Sequence, residues 1–302
     1  MELISCTSEH HPQVHKMLCE QNPRYQKTFE QFEKNEKHQT KKVDGRAFVV
    51  VQNGKVVAFI KTHNVYFDQK RKKNLCFEAV PTLQNDNLIG FIREVIKNSP
   101  MDGYKLGTSE YEDREWKVDI IKTLGLEEIS RGWRSSVDLQ TFEFNVNSID
   151  LEIVNLSELL EWGQEKALAG INDLQNSIVK DIPMPYEWED RSLEDFKKVF
   201  FDIDYVKDCS FFAVKDEELI AQSTVGHSGE KDASVFLTGA KKEFRKQGIS
   251  TYLKYLSMMK LKEMGFQKLF TFNDSINNPM LNLNTKMGFQ RDGAAMITFE
   301  EL

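Results

Sequence analysis

The chain has 302 residues, 40% hydrophobic and 29% charged, which is globular composition with length for two domains and excludes a disordered or fibrous chain. No run of about 18 apolar residues occurs and Met1 to Pro12 hold no apolar core, so neither a signal nor a membrane segment is expected. Net charge is -7: residues 1–149 carry 22 Lys+Arg against 21 Asp+Glu, and residues 150–302 carry 18 against 26. So acidic a second half is a poor match for nucleic acid, whose binding rests on neutralised phosphates; small molecules or proteins are the expected partners.

In chain order, the first signal is His11 and His15, which have the i, i+4 spacing of a metal pair. Pro12 intervenes and no Glu completes the pattern, so no metal is expected there. Ala47 to Val51, an Asn-Gly turn at Asn53 and Gly54, and Lys55 to Ile60 read as a β-hairpin. Lys70-Arg-Lys-Lys73 reads as a solvated basic turn. Asn145 to Asp150 is polar and serves as a linker. Beyond it come a strand over Leu151 to Leu156, helices from Ser157 and near Ser192 to Phe201, and a second hairpin around Ser210 to Ala221. The remainder reads as a strand over Ala233 to Ala240, a helix from Ile249 to Met264, a strand at Lys268 to Phe272, a helix over Pro279 to Met287 and a strand at Ala294 to Phe299. The second hairpin lies 163 residues after the first, and the same offset carries Leu124-Gly-Leu126 onto Met287-Gly-Phe289. Two matches at one offset predict a duplicated α/β (α+β) domain with a mixed sheet, spanning residues 1–145 and 150–302. Cys6, Cys19, Cys76 and Cys209 lack any C-x-x-C spacing, and a reducing cytoplasm is the expected location.

The strongest chemical signal is in the second half. A buried strand ending Leu237-Thr-Gly-Ala240 feeds a loop with Lys241, Lys242, Arg245 and Lys246, and Gly248 opens an amphipathic helix. Free N–H groups at a helix start attract anions, and a glycine lets a phosphate approach the backbone. Neither the P-loop nor the dinucleotide glycine spacing is present, which disfavours an NTPase or a nicotinamide enzyme. Residue types alone leave open an ordinary solvated loop.

The segment Thr238-Gly-Ala-Lys-Lys-Glu-Phe-Arg-Lys-Gln-Gly-Ile-Ser250 resembles the acyl-CoA-binding motif of the GNAT superfamily of N-acetyltransferases, [RQ]-x-x-G-x-[GA], at Arg245, Gly248 and Ser250. Asn273 to Phe289, an Asn-containing helix ending Lys-Met-Gly-Phe, resembles the next motif of that family. The resemblance implies two tandem GNAT-like acyl-CoA N-acyltransferase domains, the second using acetyl-CoA to acetylate a primary amine of a small molecule by direct attack. It places the cofactor arm along Leu237, Thr238 and Gly239 and beside Asn278. It places the pyrophosphate on Lys246, Gln247, Gly248, Ile249 and Ser250, with charge from Arg245, Lys241 and Lys242. The first half has no such loop: Asn74 to Val80 runs into Pro81-Thr-Leu-Gln-Asn-Asp-Asn87. Residues 1–145 therefore read as a degenerate copy that binds no acetyl-CoA.

Two departures from the family pattern stand out. Asn284 occupies the position where many members carry the tyrosine that protonates the departing thiolate; an amide cannot be that acid, so its candidate role is to hydrogen-bond the sulfur, with a solvent proton or a surface helix residue as the other readings. No carboxylate lies on the strand from Ser234 to Ala240, so Glu187 and Glu189 are the candidate bases, in a segment from Asp181 to Glu218 with 12 acids against 5 Lys+Arg. Asn278, before Pro279, also suits a helix N-cap. A CoA-binding sensor or structural protein without catalysis, and an enzyme that acetylates protein side chains, are the alternatives.

Overall fold

A computed structural model describes residues 1–25, 27–42, 45–64, 72–100, 103–183 and 188–301. Lys70, Arg71 and Glu187, all singled out from the sequence, lie outside the described residues. Contacts divide the chain into two compact units, residues 1–131 with 296–302 and residues 132–295.

Unit 1 begins with β1 (Glu2–Ser5), α1 (His11–Gln21), α2 (Phe29–Lys42), β2 (Arg46–Gln52), β3 (Lys55–Asn64) and β4 (Lys72–Ala79), followed by α3 (Asp86–Lys97), β5 (Lys105–Tyr111) and α4 (Glu115–Thr123). Next comes β6 (Glu127–Asp138), which pairs with unit 2 from Gly132 onward. Unit 2 holds β7 (Glu152–Asn155), α5 (Leu156–Glu161), α6 (Gln164–Val179), α7 (Leu193–Phe200), β8 (Phe211–Lys215), β9 (Glu218–His227) and β10 (Asp232–Ala240). It closes with α8 (Ile249–Glu263), β11 (Lys268–Asp274), α9 (Asn278–Lys286) and the short β12 (Gln290–Arg291), before β13 (Met296–Glu300) ends the chain.

The sheets follow one plan. In unit 1 the order is β1-β2-β3-β4-β5-β13, and in unit 2 it is β7-β8-β9-β10-β11-β6; among the described residues, β4/β5 and β10/β11 are parallel and the other pairs within each order are antiparallel. β3 and β9, α3 and α8, β5 and β11, and α4 and α9 each start 163 residues apart. The duplication is thus visible element by element. The units differ from the boundary drawn on sequence because the repeats exchange their last strands: β13 hydrogen-bonds to β5, and Gly132–Asp138 of β6 hydrogen-bonds to β11. The polar stretch from 145 to 150 is a crossing within unit 2.

Each sheet has helices on both faces, which buries its apolar residues in two layers. In unit 1, α3 and α4 cover Ile60, Leu75, Phe77 and Phe299, while α1 and α2 cover Val49, Val56 and Phe59. In unit 2, α5, α6 and α7 bury Phe212, Val214 and Leu219, and α8 and α9 close the other face over Ala221, Val225 and Leu269. Lys72 and Lys73 are not a solvated turn, since they open β4, where Lys72 pairs with Glu300 at 2.5 Å and Lys73 is buried. Met264 is exposed just past the end of α8, and the buried apolar stripe of the helix runs through Leu253, Met258 and Leu261.

In both units the parallel pair stays together for three rungs and then diverges: Lys72–Asn74 against Lys105–Gly107, and Asp232–Ser234 against Lys268–Phe270. Unit 1 fills its divergence with charge. Glu78 of β4 takes both Arg114 guanidinium nitrogens at 2.8 Å, and Lys117 pairs with Glu110 of β5. Arg114 also donates to the Gln21 carbonyl at 3.1 Å and lies 3.9 Å from Glu110, so the network ties the two strands together. All four charged side chains are buried. Breaking a buried pair leaves an uncompensated charge, which typically costs about 3–5 kcal/mol. Arg114→Met is therefore expected to lower the unfolding free energy of the intact protein, measured by urea denaturation, by about 3–5 kcal/mol, and an unchanged midpoint would refute this reading of the network.

Candidate active site

Unit 2 leaves its divergence open. Beyond Ser234, β10 keeps β9 on its outer edge, with Leu237 against Thr224, Thr238 against Ser223 and Gly239 against Gln222. A register shift between Val235 and Leu237 marks a β-bulge at the exposed Phe236. The Leu237 carbonyl accepts the Thr224 hydroxyl at 3.3 Å, and the Thr238 and Ser223 hydroxyls lie 3.1 Å apart. Gly239 faces α6 so closely that a Cβ there would come 2.6 Å from Ile178.

The loop after β10 turns through Lys242–Phe244 and ends with two left-handed residues, Lys246 at φ 61° and Gly248 at φ 82°. Gly248 precedes α8, has no side-chain cap, and stands in open space. Ile249 is buried and anchors the helix, while Ser250 lies in the first turn, which holds no acidic residue. No side chain caps this helix start, the condition for anion binding there. The equivalent position in unit 1, 163 residues earlier, is Asn85, whose side chain accepts the Asn87 N–H at 3.1 Å, and Asp86 adds a negative charge. One helix start is closed by its own side chain; the other is open.

The basic side chains of the loop are engaged differently from the sequence expectation. Arg245 donates its Nε to the Ala240 carbonyl at 3.0 Å and pairs with Asp181 at 2.8 Å, so it braces the loop against the segment after α6. Lys241 pairs with Glu218 at 2.8 Å. Gln247 donates to the Glu243 carbonyl at 3.2 Å, and Lys242 and Lys246 are exposed.

Asn278 is not the N-cap of α9. Asn277 is, its side chain accepting the Met280 N–H at 3.4 Å, because the cap must precede the first helical residue and Asn278 is that residue. Asn278 is exposed. Glu189 is exposed as well, beside Trp188, whose indole stacks under the Arg191 guanidinium at 5.4 Å.

Asn284 is not a surface residue. It is buried, donates its Nδ2 to the Asn273 side-chain oxygen at 2.6 Å, and accepts at Oδ1 from the ammonium of Lys254. Lys254 is fully buried, lies 4.5 Å over the Phe289 ring, and burial alone pushes its ammonium down to about 7. Sequence reasoning passed over Lys254; the available signal was a lysine inside the apolar arc of α8, one residue after Leu253 and four before Met258.

Residues 172–289 match the family model described as Acetyltransferase (GNAT) family. The matched residues lie within unit 2, and the fold of the whole chain is similar to those of solved GNAT N-acetyltransferases, one of them a tandem GNAT protein. A GCN5-related N-acetyltransferase from Sphaerobacter thermophilus matches with a TM-score of 0.74 at 10% identity, covering 99% of this chain and 94% of its own. A tandem GNAT protein from the clavulanic acid biosynthesis pathway, solved without AcCoA, matches with a TM-score of 0.72 at 14% identity, covering 99% and 97%. A glucosamine N-acetyltransferase region of a fungal multi-domain β-N-acetylglucosaminidase matches with a TM-score of 0.72 at 13% identity, covering 99% of this chain and 38% of that one. No curated protein matches by sequence. Among the described residues, no helix is long and apolar enough to cross a membrane.

The lowered ionisation of Lys254 has a consequence for stability. Between about pH 7 and the ordinary lysine range the unfolded chain holds a proton that the folded chain has released, so this group makes stability rise with pH across that window. Lys254→Met should remove this rise, measured as melting temperature against pH, and a parallel pair of curves would contradict the assignment.

Proposed function

We propose that unit 2 binds acetyl-CoA and transfers its acetyl group to the primary amine of a small molecule by direct attack, and that unit 1 does not bind it. The observation that carries this reading is the uncapped start of α8, bounded by left-handed Lys246 and Gly248, at the mouth of strands that diverge after three rungs. The residues present fit the cosubstrate. The N–H groups of Lys246, Gln247, Gly248, Ile249 and Ser250 would hold the pyrophosphate, and the inner edge of Leu237, Thr238 and Gly239 would hold the pantetheine arm by backbone hydrogen bonds. Acetyl-CoA supplies an activated thioester, so no enzyme nucleophile is needed. The bulge at Phe236 frees a backbone N–H from the β9 ladder, which would donate to the thioester oxygen as negative charge grows there.

The attacking amine must be neutral. Carboxylates of the segment from Asp181 to Glu218, with Glu189 and Glu187 as candidates, would take its proton through water and draw the cationic amine to the site by their field. Arg245 contributes by pairing with Asp181, which fixes the loop rather than adding free charge beside the phosphates. The glucosamine named for the fungal neighbour makes an amino sugar the first acceptor to try.

A thermal-shift comparison tests the ligand class: CoA and acetyl-CoA should stabilise the protein, by about 2.7 kcal/mol at 100 times the dissociation constant, and ATP and NAD should not. Gly248→Glu should abolish that shift, since it puts a carboxylate where the pyrophosphate belongs and strains a left-handed position. Binding without CoA release in the presence of any amine would make the protein a sensor and not an enzyme.

A further inference from the structure

The polar chain formed by Lys254, Asn284 and Asn273 has no part in the reading above. It also has no counterpart in unit 1, where the positions 163 residues earlier are Phe91, Ile121 and Glu110. Phe91 and Ile121 belong to the apolar core there, so the fold itself requires no polar group at either place. A fully buried amine is costly to fold, and at this pair of equivalent positions unit 2 carries one where unit 1 carries Phe91.

The position of the polar chain indicates what it does. Asn273 stands three residues beyond Phe270, the last rung of β11, and Leu237 stands three beyond Ser234, the last rung of β10. Lys254 is on α8, which follows β10, and Asn284 is on α9, which follows β11; their hydrogen bond joins the two diverging arms. The contacts also fix the Asn284 amide. Lys254 Nζ donates to Oδ1, and the Asn273 oxygen takes one N–H of Nδ2, so flipping the amide would turn Nδ2 toward the Lys254 donor and Oδ1 toward the Asn273 oxygen and lose both bonds. The second N–H of Nδ2 has no acceptor among the described residues.

Resting on the assignment of acetyl-CoA to unit 2, we propose that Lys254 is a positioning residue that holds Asn284 with its free N–H toward the cleft, where it hydrogen-bonds the sulfur of CoA as it leaves. The amine nitrogen forms its bond to the acetyl carbon, the carbon–sulfur bond breaks with its electron pair going to sulfur, and the amine proton goes to solvent. The thiolate then leaves stabilised by the Asn284 N–H. Asn284 from α9, Asn273 of β11 behind it, and the Phe289 ring face Lys254; no charged side chain of β9, β10, β11 or α9 among the described residues sets its ionisation, which follows from burial alone.

The test needs no acceptor. CoA is bound to the intact protein, to Lys254→Met and to Asn284→Asp, with binding confirmed by calorimetry, and the bound thiol is titrated by the ultraviolet absorbance of its thiolate. In the wild type the thiol should ionise at least one pH unit, tenfold in acidity, below its value in Lys254→Met. Asn284→Asp, which removes the N–H, should also raise it and carries the test if the methionine variant fails to fold. Equal titrations in proteins that all bind CoA would overturn this proposal and leave the acetyl-CoA reading intact. Failure of the wild type to bind CoA would overturn that reading, and the proposal with it.

Discussion

Everything at the candidate site follows from the separation of β10 from β11 after Ser234 and Phe270. Strands that part expose two facing rows of backbone N–H and C=O groups, and buried backbone groups must be satisfied by some partner. β9 and β6 already occupy the outer edges, so the inner edges alone are open. A narrow wedge with a polar backbone lining and a helix start at its mouth suits an extended ligand that ends in phosphates.

The duplicated chain provides its own comparison, because the same divergence appears in unit 1 and is handled otherwise. There Glu78, Arg114, Lys117 and Glu110 bind the two strands together, and Asn85 and Asp86 close the helix start. In unit 2 the corresponding helix start carries Gly248, and the positions equivalent to Glu78, Arg114, Lys117 and Glu110 are Lys241, Asn277, Met280 and Asn273. One backbone plan thus supports a closed unit and an open one. Their difference lies in a handful of side chains, which is why fold alone does not assign function to either.

Much of this was legible in the sequence where the signal is local. The hairpins, the helix opened by Gly248 and the 163-residue offset follow from turn residues and short-range periodicity, and they appear in the structure. The strand exchange was not legible, since β13 and the end of β6 choose partners far away in the chain by hydrogen bonding that no local pattern encodes. The cap of α9 shifted by one residue to Asn277, because Asn278 and Asn277 are equally good caps by composition and only backbone geometry separates them. Lysine is so often exposed that Lys254 reads as surface until its helix is docked, and Asn284 gains meaning only with it. Arg245 matched a motif by type, yet its partners, Asp181 and the Ala240 carbonyl, give it a bracing role visible only in three dimensions.

The central claim is that one of two similar units is open to acetyl-CoA and the other is sealed. Calorimetric titration of acetyl-CoA into the intact protein measures this directly through its stoichiometry. The account predicts one molecule bound per chain, with a single binding isotherm. Two molecules per chain would show that the unit 1 network does not close its cleft, and none would show that the open start of α8 is not a cosubstrate site.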